Sequence, residues 1–167
     1  MIVPILHSLK SPTNVGSIVR SHRAFGGTHI AFAGHDKPWR FKKGTQAFSR
    51  RLEDQLEIAY LTDDNAIFDW CANNECACVA LEISEKATPI DDFVFPERIA
   101  LVCGNEATGL SEGFQNRCAA TVVIPQSGPV GSLNVATACS IALYSYSRQF
   151  CGRGTISSSK FIGENVG

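Results

Sequence analysis

Three stretches of the chain place polar and glycine residues directly after apolar runs, and these are where chemistry is expected. In "SPTNVGSIVRSHRAFG", Asn14 stands where it can cap a following helix, and Arg20 and Arg23 lie three apart on a helix face that is not the apolar one. "LVCGNEATGLS" brings Gly104, Asn105, Glu106 and Gly109 to the end of an apolar run, where glycine lets a ligand approach the backbone closely. Its spacing fits neither the Walker loop nor a full dinucleotide-binding fingerprint. "IPQSGPVGSLNVATA" inserts a proline- and glycine-rich loop between a strand-like run and a helix-like one. A stretch such as "PQSGPVGS" completes neither a sheet nor a helix, so its N–H and C=O groups are free to bond a ligand. Pro125 and Pro129 would stiffen that loop and reduce the entropy lost when a ligand orders it.

The formal net charge of −1 hides an uneven distribution. Between residues 37 and 51 the chain carries Lys37, Arg40, Lys42, Lys43, Arg50 and Arg51 with no acid, while the stretch that follows, through Asp92, is dominated by Asp and Glu. Trp39, Phe41 and Phe48 are interleaved with these cations. Cations for phosphates and aromatics for unstacked bases are what single-stranded nucleic acid requires, and a local patch suffices to attract it. The alternative is a solvated loop and helix face. Metal chemistry has little support: Cys71, Cys76 and Cys78 lack the paired spacing of a zinc site, and His7, His22, His29 and His35 form no ligand pair.

The elements that must position these residues follow from periodicity. Short apolar runs at Ile2–His7, His29–Ala33, Ala77–Ile83, Ile99–Cys103 and Thr121–Ile124 predict strands, several of them covered on both faces. Helices are expected over Val15–Phe25, near Asp64–Asn73, near Ser111–Cys118 and over Asn134–Gln149, where Val135, Ala138, Cys139, Ala142, Leu143 and Tyr146 recur at three and four residues. Alternating strands and helices predict an open, mainly parallel α/β sheet flanked by helices, with ligands bound outside the carboxyl ends of its strands. A length of 167 residues with 44% hydrophobic content suits one domain, expected over residues 1–151, with a loose Gly/Ser-rich tail over residues 152–167. The seven cysteines read as reduced core residues. No run is long enough to span a membrane and no signal-peptide layout is present, so a cytoplasmic protein is expected.

Taken together, the three stretches resemble the motifs of the SpoU, or TrmH-like, RNA ribose 2'-O-methyltransferases, a branch of the SPOUT superfamily. The first motif is matched by Asn14, Gly16, Arg20, Phe25 and Gly26; the second by Gly104, Glu106, Gly109 and Leu110; the third by Ile124, Pro125, Gly128, Ser132, Leu133, Asn134 and Val135. They occur in order, and the resemblance covers residues from about 2 to about 150. It implies a deep C-terminal trefoil knot, which no residue pattern would have indicated. It further implies S-adenosylmethionine as cofactor, no metal, and a homodimer whose active sites borrow residues across the interface.

By the same resemblance, Arg20 meets the 2'-hydroxyl and acts as its base, or instead holds the adjacent phosphate and stabilises the developing alkoxide while water carries the proton; Asn14, Glu106, Ser132 and Asn134 form the polar shell of the catalytic site. The cofactor would contact Leu81, Gly104, Ile124, Leu133 and Ser132, largely through backbone. The chain is expected to act without an added RNA-binding domain, since its first strand begins at Ile2. Recognition would then fall to Arg23, to the segment containing Lys37, Arg40, Lys42, Lys43 and Arg50, and to the dimer surface. Transfer RNA is the preferred substrate, with ribosomal RNA as the alternative. Two rivals are a non-catalytic RNA-binding knot and a nucleotide-dependent oxidoreductase. The intact polar set speaks against the first, and the missing dinucleotide fingerprint against the second.

Overall fold

The computed structural model describes residues 1–35, 38–41 and 51–150. Seven strands form one sheet: β1 (Ile2–His7), β2 (His29–Ala33), β3 (Glu57–Leu61), β4 (Ala77–Leu81), β5 (Thr88–Pro89), β6 (Ile99–Cys103) and β7 (Ala120–Val123). Their order is β3-β2-β1-β6-β4-β7-β5, and every pairing is parallel. Among the described residues, four α-helices flank the sheet: α1 (Pro12–Ala24), α2 (Asp64–Asn73), α3 (Glu112–Gln115) and α4 (Val135–Phe150).

The two faces of the sheet differ in side-chain size because neighbours along a strand point to opposite sides. Leu6, Ile30, Phe32, Val79, Leu101 and Val122 pack beneath α1 and α4, against Val15, Ile18, Cys139 and Leu143. Ala31, Ala33, Ala80 and Ala100 face the other way, where Ile67 and Cys71 of α2 and Phe114 of α3 close over them. The central strands β1 and β6 are almost wholly buried, which explains why they read as continuous apolar runs rather than alternating ones.

Four departures from the sequence reading have local causes. Strand β3 was not anticipated because it is an edge strand, only half buried and set within an acidic stretch. Strand β5, at the opposite edge, has two residues, one a proline; proline lacks the ladder donor and is tolerated at an edge. Asn14 is not the cap of α1. Ser11 is, with its Oγ accepting the Asn14 N–H at 3.3 Å and Pro12 opening the helix, so the Asn14 side chain is released for another task. Strand β4 ends two residues earlier than expected, at Leu81, and Glu82 turns into the loop beyond it. Residues 152–167 lie outside the described residues. Among the described residues, no helix is long and apolar enough to cross a membrane.

Candidate active site

The loops leaving the carboxyl ends of β4, β6 and β7 enclose a cavity of about 510 Å³, where ligands of parallel α/β sheets are bound. Its walls include Leu81 and Glu82 after β4, residues 103 to 109 after β6, and Ile124, Ser132, Leu133 and Asn134 after β7. Leu81, Gly104, Ile124, Ser132 and Leu133, the positions at which the resemblance placed a cofactor, thus meet on the walls of one cavity.

The loop from Gly104 to Leu110 is fixed from three directions. Asn105 turns it, its Oδ1 accepting the Ala107 N–H at 2.8 Å, and its Nδ2 donates to the Ser8 carbonyl at 2.7 Å. A second clamp comes from Glu82, whose carboxylate accepts the Leu110 N–H at 2.7 Å and the Ile83 N–H at 2.9 Å. Glycine is required at two places here. A Cβ on Gly104 would lie 2.5 Å from the Gly109 carbonyl carbon, and Gly109 itself has φ +63 with a notional Cβ 2.4 Å from Glu82 Oε2.

Glu106 makes the third clamp and joins the three motifs. Its carboxylate accepts the backbone N–H groups of Lys10 (3.2 Å) and Ser11 (3.1 Å) at the start of α1, and the Asn14 Nδ2 at 3.0 Å. Asn14 Oδ1 in turn accepts Asn134 Nδ2 at 3.0 Å. Asn134 then caps α4 by accepting the Ala136 and Thr137 N–H groups at 2.9 and 3.3 Å. Partial desolvation pushes the Glu106 carboxyl up. Donation from Asn14, from its own amide and from those of Lys10 and Ser11 outweighs that effect and holds it below the ordinary glutamate value. Glu106 is therefore ionised at neutral pH, at the mouth of a cavity that also contains Glu82.

The structure places the remaining candidates elsewhere. Arg20 is exposed on α1 and is not among the residues lining the cavity of its own chain. Arg23 is half-buried, with Nη1 donating to the Gly27 carbonyl and Nη2 to Gln55 Oε1 at 3.1 Å, so it staples the end of α1 rather than projecting freely. Trp39 stacks on the core residue Phe32 with ring centroids 5.6 Å apart and planes at 7°, and Phe41 meets the same ring edge-on. These two aromatics cover the core, which corrects the expectation that they await bases. Arg40 is exposed; Lys37, Lys42, Lys43, Phe48 and Arg50 lie outside the described residues. Sequence reasoning missed Glu82, whose signal was an acid interrupting an apolar run just where a strand should end.

Comparison with known proteins agrees with this geometry. The family model for the SpoU rRNA Methylase family matches residues 1–144. A 23S rRNA (uridine(2479)-2'-O)-methyltransferase from Streptomyces viridochromogenes is 31% identical over 143 residues, 83% of this chain and 50% of that protein. A 23S rRNA (guanosine-2'-O-)-methyltransferase, RlmB, from Coxiella burnetii is 30% identical over 145 residues, 87% of this chain and 57% of that protein. The chain thus spans about half the length of these curated relatives. Among solved structures, the SpoU methyltransferase AviRb from Streptomyces viridochromogenes superposes with a TM-score of 0.79 at 28% identity, covering 92% of this chain and 61% of AviRb. Its complex with AdoMet superposes with a TM-score of 0.78 over 88% of this chain and 59% of that one. With the family model matching residues 1–144 and the three motif segments bonded to one another around one cavity, the chain belongs to the SpoU rRNA methylase family.

Proposed function

We propose that this chain is the catalytic domain of an S-adenosylmethionine-dependent RNA methyltransferase, acting in the cytoplasm as a homodimer on a ribose 2'-hydroxyl of ribosomal RNA. The observation that carries the reading is the Glu106–Asn14–Asn134 relay, which ties all three motif segments together at the mouth of the 510 Å³ cavity. The names of the 2'-O-methylating relatives move the substrate preference from transfer RNA to ribosomal RNA. The C-terminal knot belongs to the same proposal.

The cavity suits the cofactor on its own terms. Leu81, Ile124, Leu133 and Val135 offer apolar walls, the loop after Gly104 offers backbone groups, and the carboxylates of Glu82 and Glu106 favour a cation. When bound, S-adenosylmethionine supplies an electrophilic methyl group on a sulfonium. The chain's own residues have two tasks: alignment, and accommodation of the proton that leaves the 2'-hydroxyl as its oxygen bonds to carbon. Glu106 and Asn134 hold the Asn14 amide in a fixed orientation at the cavity mouth, where it can position the ribose.

The planar guanidinium of Arg20 serves as a fork of donors for the neighbouring phosphate and the developing alkoxide, with water taking the proton. Its exposure outside its own cavity supports delivery to the site of the partner copy. Transfer of tritium from methyl-labelled S-adenosylmethionine to ribosomal RNA or transfer RNA, followed by nucleoside mapping, tests the proposal. Label on a 2'-O-methylated nucleoside of ribosomal RNA is the expected result; label on a base, or none, refutes it.

A further inference from the structure

A second cavity, of about 370 Å³, opens beside the first at the carboxyl ends of β1 and β2. The two share the wall formed by Asn105, Thr108 and Gly109. Their chemistry differs in sign. The first contains two carboxylates, Glu82 and Glu106, whereas among the described residues none that lines the second is acidic. Its lining offers the Lys10 ammonium, the imidazoles of His7 and His35, the hydroxyls of Ser8 and Thr108, and the Asn105 amide. With a lysine at its rim, polar N–H and O–H groups on its walls and the adjoining Asp64 carboxylate engaged by His7, the cavity is suited to an oxyanion.

The surroundings hold this lining in place. His7 Nε2 bonds Asp64 Oδ1 at 2.8 Å, and its ring lies 5.6 Å from that of Phe114. Ser8 sits at φ 55 and bonds the Gly34 carbonyl at 3.2 Å, and Asn105 reaches the Ser8 carbonyl. Lys10 is the exception: its backbone N–H is committed to Glu106, while the residue is exposed at the rim.

We propose that this second cavity is a phosphodiester subsite, which takes the RNA backbone next to the ribose being methylated, with Lys10 as its principal cation. The inference rests on the RNA methyltransferase reading above. It follows from the shared wall: a strand that presents a ribose at the first cavity continues across a short loop, and the neighbouring surface carries the groups its phosphates need. Nothing in the motif resemblance assigns His7, Ser8, Lys10 or His35 a role.

The test is Lys10→Ala, with Lys10→Arg as the charge-retaining control. Anisotropy titrations would use a labelled single-stranded RNA oligonucleotide of mixed sequence at salt from about 50 to about 200 mM. Lys10→Ala should weaken binding roughly tenfold at the lowest salt and make the log–log salt slope shallower by about 0.7, the share of one single-stranded phosphate contact. Lys10→Arg should restore most of the affinity, and calorimetry should find S-adenosylmethionine binding unchanged in both variants. Unaltered RNA binding by Lys10→Ala, or a parallel loss of cofactor binding, overturns the subsite. Inorganic phosphate titrated alone should compete only weakly; displacement of RNA at low millimolar phosphate would reassign the cavity to a free anion. Absence of methyl transfer by the unaltered protein strikes the methyltransferase reading itself and takes the subsite with it.

Discussion

Replacing Asn14 by aspartate keeps its shape and reverses the meaning of one contact. Asn14 Nδ2 donates to Glu106 Oε1 at 3.0 Å, and in Asn14→Asp that donor becomes a second carboxylate oxygen. Two unit charges at that separation repel by about 1.4 kcal/mol in water and by about 5.5 kcal/mol at an effective dielectric of about 20. Glu106 is exposed and Asn14 half-buried, so the lower figure applies, and the repulsion raises the Glu106 pKa. Loss of the charge-assisted hydrogen bond acts in the same direction. The contact to Asn134 survives, because aspartate still accepts from Asn134 Nδ2.

The sign in pH follows from this. In the unaltered protein the depressed Glu106 pKa contributes stability that is present above the carboxylate range and lost as pH falls through it; Asn14→Asp lifts that pKa and so removes the contribution where Glu106 is ionised. The deficit of Asn14→Asp against the unaltered protein should therefore be larger at pH 7 than at pH 4. That of Asn14→Leu, which removes the hydrogen bonds without adding charge, should change little once Glu106 is ionised. Carbon-detected NMR titration of Glu106, with denaturant melts at both pH values, reads the two effects. A Glu106 titration unmoved by Asn14→Asp, or a pH-independent deficit, would refute the electrostatic account of the relay.

Other expectations come from separate parts of the fold. A methyl on Gly104 would meet backbone 2.5 Å away, so Gly104→Ala should cost about 1–3 kcal/mol in thermal melts and weaken S-adenosylmethionine binding in calorimetry; unaltered binding would exclude that loop as a cofactor wall. Burial holds the His22 pKa down at about 4, against an ordinary 6.5, partly offset by the hydrogen bond to the His29 carbonyl. The unfolded chain then binds the extra proton between those values. His22 should remove about 3 kcal/mol of stability as pH falls from about 6.5 to about 4, and His22→Gln should flatten that slope in urea melts. If Arg20 acts on the partner's site, mixing Arg20→Ala with Glu106→Ala subunits should restore about a quarter of the active sites, since random exchange makes half the dimers mixed with one intact site each. Mixtures as inactive as the separate variants would place Arg20 in its own subunit's site.

What was legible in the sequence is what burial dictates. Strands β1, β2 and β6 have the bounds their apolar runs suggested, because buried parallel strands admit little else. Edge strands escaped notice: Glu57–Leu61 is half exposed and carries no continuous apolar signature. Asn14 shows how local and tertiary roles compete. Its residue type fits a helix cap, yet Ser11 with Pro12 caps better, and the purpose of Asn14 emerges only when Glu106 and Asn134, 92 and 120 residues away, come within hydrogen-bond reach. The alternation of Trp39 and Phe41 with cations looked like a platform for bases, but the demand to cover Phe32 decides where those rings go. Glu82 was hidden within an expected strand, since only the Leu110 and Ile83 amides reveal what its carboxylate holds.

A crystal structure with S-adenosylhomocysteine tests most directly whether the loops after β4, β6 and β7 hold the methyl donor. Adenosine against Leu81, Gly104, Ile124 and Leu133, with the sulfur facing the Asn14–Glu106 mouth, is the predicted result. Density for the nucleoside anywhere else on the chain, with this cavity left to solvent, would contradict it.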